Sequence, residues 1–129
     1  MKYLIMMTQS PDDPVQEWTP EDVKASWAHM QQIHQELTEA GELLAAEKLA
    51  GPEATRIVSA DGVSAPVVTD GIYPEAKELL AGFWMVDVDT EQRAVEIAAR
   101  TSAAPGPGGR PTRKPIVVRP IMAAPPPEW

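Results

Sequence analysis

The run LAGFWMVDV, residues 80–88, constrains the fold of this chain more than any other stretch. Read as a strand, it sends successive side chains to opposite faces. Phe83 and Met85 then stand on one face, and Trp84 and Val86 on the other. A sheet built around it needs apolar cover on both sides, and one layer of helices covers only one. With 129 residues the chain makes one domain with a modest core. A second copy, sheet against sheet, is therefore expected on the face its own helices leave bare, so a homodimer is expected.

The elements around this strand follow from local signals. The apolar run Tyr3 to Met7 reads as a buried first strand. After a Pro- and Asp-punctuated loop, Thr19-Pro20-Glu21-Asp22 starts a helix with a capping residue, a proline at its first position and acids at its positive end. Val23, Trp27, Met30, His34 and Leu37 recur at helical spacing and predict its buried face, and Gly41 supplies a left-handed cap. ELLAAEKLA is a second strand. ATRIVSA and VSAPVVTD flank Asp61-Gly62, the strongest short-range hairpin signal, with Pro66 marking an edge. Asp89 or Thr90 caps a second helix, with Gln92 placed for a capping box and Ala94, Val95 and Ala98 as its apolar face. Residues 101–115 are rich in Pro and Gly and predict a flexible loop. Ile116 to Ile121 is the last strand.

The order is strand, helix, strand, hairpin, strand, helix, strand. The fold class is thus α+β: a ferredoxin-like βαββαβ unit with an inserted β-hairpin and an antiparallel sheet. Residues 1–122 form the domain, and 123–129, ending APPPEW, form an extended proline-rich tail.

Charge narrows the partners. The net charge of −8 repels phosphate backbones and anionic membranes, and the only basic cluster, Arg110 to Lys114, is short and lies among Pro and Gly. No nucleic-acid or membrane partner is expected. The absence of cysteine removes disulfides, thiolate zinc sites and a thiol nucleophile. The apolar run at Tyr3 is too short for a secretion signal, and no stretch approaches the roughly 20 apolar residues of a membrane helix, so a cytoplasmic protein is expected.

One segment carries a family resemblance. TDGIYPEAKELLAGFWMVDVDT, residues 69–90, resembles the signature of YCII-related, DGPF-type proteins, roughly TDGPF-E-KE-LGG(F/Y)-(L/I)-DV. Asp70-Gly71, Glu75, Lys77-Glu78, Gly82, Phe83 and Asp87-Val88 match it. Ile72-Tyr73 stands where the family has Pro-Phe, and Ala81 replaces the first of two glycines. MKYLIMM, EAGELLAAEKLAGP and IVVRPI are similar to the family's first, second and last strands. The resemblance implies a dimeric α+β barrel, two ferredoxin-like halves with their sheets facing. It also implies a superfamily that contains small isomerases, monooxygenases and dehydratases, and genes that often lie beside extracytoplasmic-function sigma factors.

Several residues are candidates for chemistry. Glu47 lies in an apolar strand, where a carboxylate facing inward is costly unless paired and becomes a possible general base. Arg119, in the apolar last strand, is its expected partner; the plain alternative is a structural ion pair or a solvent-facing Glu47. Asp70 makes a turn with Gly71. Glu75, Lys77 and Glu78 follow closely, either as a clasp of mutually satisfied surface charges or folded over a pocket, with Lys77 meeting an anionic group. Trp84 is a core aromatic or a pocket wall. His29 and His34 are about 140° apart around a helix and make no metal pair. His34 falls on the apolar stripe as a core or interface histidine, while relatives with a helix histidine in an acid–base pair make His29 a third catalytic candidate. No metal-ligand spacing, phosphate loop or serine-nucleophile motif stands out, so no metal or cofactor is expected.

Two functions fit. One is a homodimeric module binding a small organic ligand between sheet and helices, with cofactor-free isomerase- or lyase-type proton transfer. In it Glu47 is base or ligand acceptor, Arg119 orients it, and a pocket is lined by Glu47 and Trp84. The other is a non-catalytic accessory or regulatory protein linked to sigma-factor or stress signalling, docking partners through its proline-rich tail.

Overall fold

A computed structural model describes residues 1–13, 17–70 and 78–123. The elements run β1 (Lys2–Gln9), α1 (Pro20–Glu39), β2 (Leu43–Lys48), β3 (Arg56–Ser59), β4 (Val67–Asp70), β5 (Leu79–Asp87), α2 (Glu91–Ser102) and β6 (Ile116–Pro120). The main sheet has the order β2-β5-β1-β6 and is antiparallel throughout. This is the ferredoxin-like arrangement expected from the element order, with β3 and β4 paired apart from it as a two-stranded ribbon.

Both helices cover one face of the sheet. Register puts Trp84 opposite Ile5 and Val86 opposite Tyr3 on that face. Tyr3, Ile5, Trp84 and Val86 meet Ile33 and Leu37 of α1 and Ala94, Ile97 and Ala98 of α2 in one core. Each large apolar side chain taken fully out of water there contributes roughly 1.5–3 kcal/mol. Among the described residues the one buried polar side chain is Thr101, which accepts the Trp84 indole N–H at 3.1 Å and donates to the Ile97 carbonyl at 3.0 Å. A buried Trp needs such an acceptor.

The helix ends follow their sequence signals closely. Thr19 accepts from the Asp22 amide, and the Asp22 carboxylate accepts from the Thr19 amide, completing a capping box. At the far end Gly41 has φ +71°, its amide reaches the Thr38 carbonyl, and the Glu42 amide reaches Leu37. These are the two bonds of a Schellman cap, and the left-handed conformation at its centre favours Gly. Thr90 caps α2 by accepting from Arg93. Because the cap is Thr90 and not Asp89, Arg93 occupies the third helical position and Gln92 completes no capping box.

Three expectations are corrected. Val23 and Trp27 are 54% and 64% exposed, and the buried residues of α1 are Ile33 and Leu37. The N-terminal part of α1 has no buried residue, and its Asp22 side chain instead meets the loop after α2 at the Gly108 amide. The β3–β4 hairpin exists, but Ser59 pairs with Val67, so residues 60–66 form a wide loop in place of a two-residue turn. Asp61 accepts from the amides of Val63 and Ser64, which explains its place in the loop. The Pro-Gly segment after α2 is fastened rather than loose. The Thr112 hydroxyl donates to the Ser102 carbonyl, the Ser102 hydroxyl to the Lys114 carbonyl, the Gly106 amide to the Arg110 carbonyl, and the Gly108 amide to Asp22 at 3.2 Å. Asp22 thereby ties this loop to the start of α1, and its amide partners hold its carboxyl below the ordinary value.

Among the described residues no helix is long and apolar enough to cross a membrane.

Candidate functional site

Among the described residues, the second face of the sheet carries no helix. Register lays its side chains out in rows across the four strands. One row runs Glu47, Phe83, Met6, Val117, and the next runs Ala45, Met85, Leu4, Arg119. Phe83, Met85, Leu4 and Met6 are half-buried, shielded at their flanks by their neighbours in the rows. Lys2 and Asp87 face each other one row further along.

Glu47 and Arg119 are both exposed and lie on this face, at opposite edges of the sheet. Three inter-strand spacings, about 14 Å, separate β2 from β6, so the two side chains do not pair within one chain. Trp84 pairs in register with Ala46, next to Glu47, and so points to the opposite face. Glu47 and Trp84 therefore do not line one pocket, a correction to the reading in which they share one. Alternation along a strand forces this: adjacent register positions cannot share a face.

The other candidates are dispersed. His29 is on α1, within the helix layer, where its Nε2 donates to the Arg100 carbonyl at 2.8 Å. That bond fastens α1 to α2, as does the ion pair between Arg100 and Glu36, and the whole sheet separates His29 from Glu47. His34 is exposed rather than in the core, with its ring tilted 51° against Trp84 at 6.2 Å between centroids. Asp70 ends β4 and pairs with Arg56 at 3.3 Å on the solvent-exposed ribbon. Glu78 is exposed at the foot of β5. Glu75 and Lys77 lie outside the described residues.

Two clefts lie at opposite ends of β1. One of about 350 Å3 is bounded by Gln9, Leu49, Gly51, Pro52, Leu79 and Leu80. The other, of about 620 Å3, is bounded by Met1, Lys2, Asp87, Pro120 and Met122. Neither was visible in the sequence. The first brings together the ends of three strands, and only the pairing of Leu49 with Ala81 through its amide, at 2.8 Å, shows that the chain around Gly51-Pro52 sits beside Leu80. No group of three or more His, Asp or Glu side chains among the described residues is arranged to hold a metal ion.

Electrostatic anchoring is concentrated on the covered side. Arg93 of α2 makes a two-pronged contact with Glu42, at 2.9 and 3.0 Å, and this guanidinium holds the Glu42 carboxyl below its ordinary 4.5 despite partial burial. The pair joins the turn after α1 to the first turn of α2.

The model of the YCII-related domain matches residues 1–108. The chain belongs to the YCII-related family. The match takes in β1 to α2, including the signature segment whose strand supplies Leu79 and Leu80 to the smaller cleft. Strand β6 lies beyond the matched stretch, yet it completes the sheet by pairing with β1 from Tyr3 to Met7. No curated protein matches the chain.

Proposed function

We propose that this YCII-related protein works as a homodimer that binds a small organic molecule, with the bare sheet face forming the contact between copies. The observation that carries the reading is that face. Leu4, Met6, Phe83, Met85 and Val117 stand together on it with no covering layer among the described residues, which is unusual for a domain that acts alone. The cleft beside Leu79 and Leu80 is the favoured ligand site. It has a mostly apolar lining, a volume in the range of small-molecule sites, and the family signature strand as one wall. Glu47, two residues before Leu49 on the cleft wall, is the group in this reading that accepts a proton or a ligand donor, in cofactor-free chemistry of isomerase or lyase type.

Thermal shift against a library of small organic acids, lactones and amides tests ligand binding. A compound that stabilises the wild type and loses at least half of that shift in Glu47→Gln supports the site. Equal shifts in both remove Glu47 from it, and no stabilising compound in the library counts against small-molecule binding.

A second reading, a non-catalytic interaction protein, is favoured by the ribbon. Ile57, Val58, Val67 and Val68 are all exposed on it, and a two-stranded ribbon is marginal by itself in water. Replacing residues 56–70 by a Gly-Ser linker discriminates. Loss of a bound protein partner with ligand shifts retained supports the second reading, and loss of the ligand shifts supports the first.

A further inference from the structure

The only basic cluster of the sequence, Arg110 to Lys114, lies just past the stretch that matches the family, which ends at residue 108. It holds three of the chain's 11 lysines and arginines, and the molecule around it is acidic enough that the net charge is −8 with these three included.

The cluster sits on a stiff backbone. Ser102, the last residue of α2, holds it from two sides. The Ser102 carbonyl accepts from the Arg113 amide at 3.0 Å and from the Thr112 hydroxyl at 2.9 Å, and the Ser102 hydroxyl donates to the Lys114 carbonyl at 2.7 Å. The Thr112 amide reaches the Ala104 carbonyl at 3.0 Å, the Gly106 amide reaches the Arg110 carbonyl at 2.7 Å, and Pro105 and Pro111 face each other across the same narrow turn. Within this frame Arg113 has φ +56°, and among the described residues it is the one residue other than glycine with a positive φ. Residues with a Cβ seldom adopt that conformation, and it persists where the surrounding bonds over-determine it. A charge run that only keeps a surface solvated requires no such frame.

The three cations are not equivalent. Lys114 meets Asp13 at 2.9 Å and holds the Asp13 carboxyl below its ordinary value. Arg110 and Arg113 are exposed, and no ion pair among the described residues includes either, whereas Arg56, Arg93 and Arg100 each hold an acid. Two guanidinium groups three residues apart thus face solvent from a fixed backbone. Acids bound them on two sides: Asp13 beside Lys114, and Asp22, whose carboxylate accepts from the Gly108 amide at 3.2 Å.

We propose that the segment Arg110 to Lys114 is a docking site for a short acidic stretch of a partner protein, with Arg110 and Arg113 receiving its carboxylates. Arginine suits this role because its planar fork donates two parallel bonds to one carboxylate. The fixed backbone lowers the ordering cost of binding. The size of the site selects the partner. A nucleic acid or an anionic membrane carries charge far beyond two arginines and would meet the acidic surface around them, whereas a few carboxylates fit between the flanking acids. The site is separate from the cleft beside Leu79 and Leu80 and does not depend on what covers the bare sheet face.

Fluorescence polarisation of a short fluorescein-labelled oligoglutamate, titrated with the full chain at low ionic strength, tests the site. Wild type is expected to bind, and to bind more weakly as salt is added. Arg110→Gln combined with Arg113→Gln is expected to bind at least about tenfold more weakly, with an unchanged far-ultraviolet spectrum and Tm because both side chains are exposed. Lys24→Gln combined with Lys48→Gln removes the same charge from exposed positions elsewhere and is expected to bind as wild type does. Ser102→Ala combined with Thr112→Val keeps every charge but removes two of the fastening bonds, and is expected to bind about threefold more weakly. Equal binding by that pair would overturn the role given to the frame.

No polarisation change with wild type, undiminished binding by the arginine pair, or equal weakening in the arginine and lysine pairs would overturn the docking site itself. Tighter binding of labelled duplex DNA, or of phosphatidylserine vesicles, than of oligoglutamate would overturn the choice of partner.

Discussion

Trp84 and Met85 are neighbours in the chain and occupy opposite environments. Trp84 lies under the helices, with its indole N–H bonded to Thr101. Met85 lies on the bare face, half-buried between Ala45 and Leu4. The two faces of this sheet have nearly equal apolar character in sequence, but among the described residues only one is packed by helices. Folding is secured on the covered face, through the core and through the Glu42–Arg93 and Trp84–Thr101 contacts. In the proposed dimer the bare face serves association.

The largest expected effect tests the covered face. Trp84→Ala removes a buried aromatic and its hydrogen bond, at a cost of about 3–5 kcal/mol in urea unfolding at low protein concentration. Met85→Asp is its counterpart. At low concentration it should leave the unfolding midpoint near that of wild type. At high concentration it should abolish the rise in Tm with protein concentration that the proposed dimer would give the wild type. If Met85→Asp unfolds the dilute protein as severely as Trp84→Ala, the two faces do not differ in the way described.

Next in size is the ion pair that holds α2 to the turn after α1. Glu42→Gln should cost about 1.5 kcal/mol at pH 7, since a part-buried, two-pronged charged contact is lost. The folded state holds Glu42 below its ordinary 4.5, so the unfolded chain takes up a proton first as pH falls. The pair's contribution is complete above 4.5 and vanishes as pH drops through the folded value. Unfolding curves of wild type and Glu42→Gln should therefore converge as the pH is lowered through that window, and a gap that stays constant with pH would remove the ion pair as its cause.

Thr19→Ala should cost about 1 kcal/mol by opening the capping box of α1, measured by the same unfolding curves. Smallest is the ribbon, which belongs to neither face. The double change Val58→Thr and Val68→Thr should move domain stability by less than about 0.5 kcal/mol, because both side chains are exposed. A larger loss would show that the ribbon is part of the folding unit.

How much was legible in the sequence depended on the range of the interaction concerned. Caps were legible because a Thr-Pro-Glu-Asp start or a Gly at C′ acts within one turn of helix. The fold class was legible from the succession of elements, since ferredoxin-like connections admit few arrangements. Helical spacing alone does not mark the buried stripe of α1: Val23 and Trp27 have the right spacing and stay exposed, and the packed positions are Ile33 and Leu37. The Pro-Gly segment looked loose, because its anchors at Asp22 and Ser102 are contributed by other elements. The candidate pocket failed for a related reason. Glu47 and Trp84 are each apolar-flanked strand residues, and only the register between β2 and β5 shows that they face apart.

The residues themselves determined that strands and helices would form here, where the helices would start and stop, and that one strand would need cover on two sides. Local propensity and side-chain alternation act over a few neighbouring positions, and those are written in the chain. Which face the helices took and which charges fell on the other were decided by strand pairing. Register joins residues that lie far apart in the sequence, and a shift of one would exchange every side chain between the two faces.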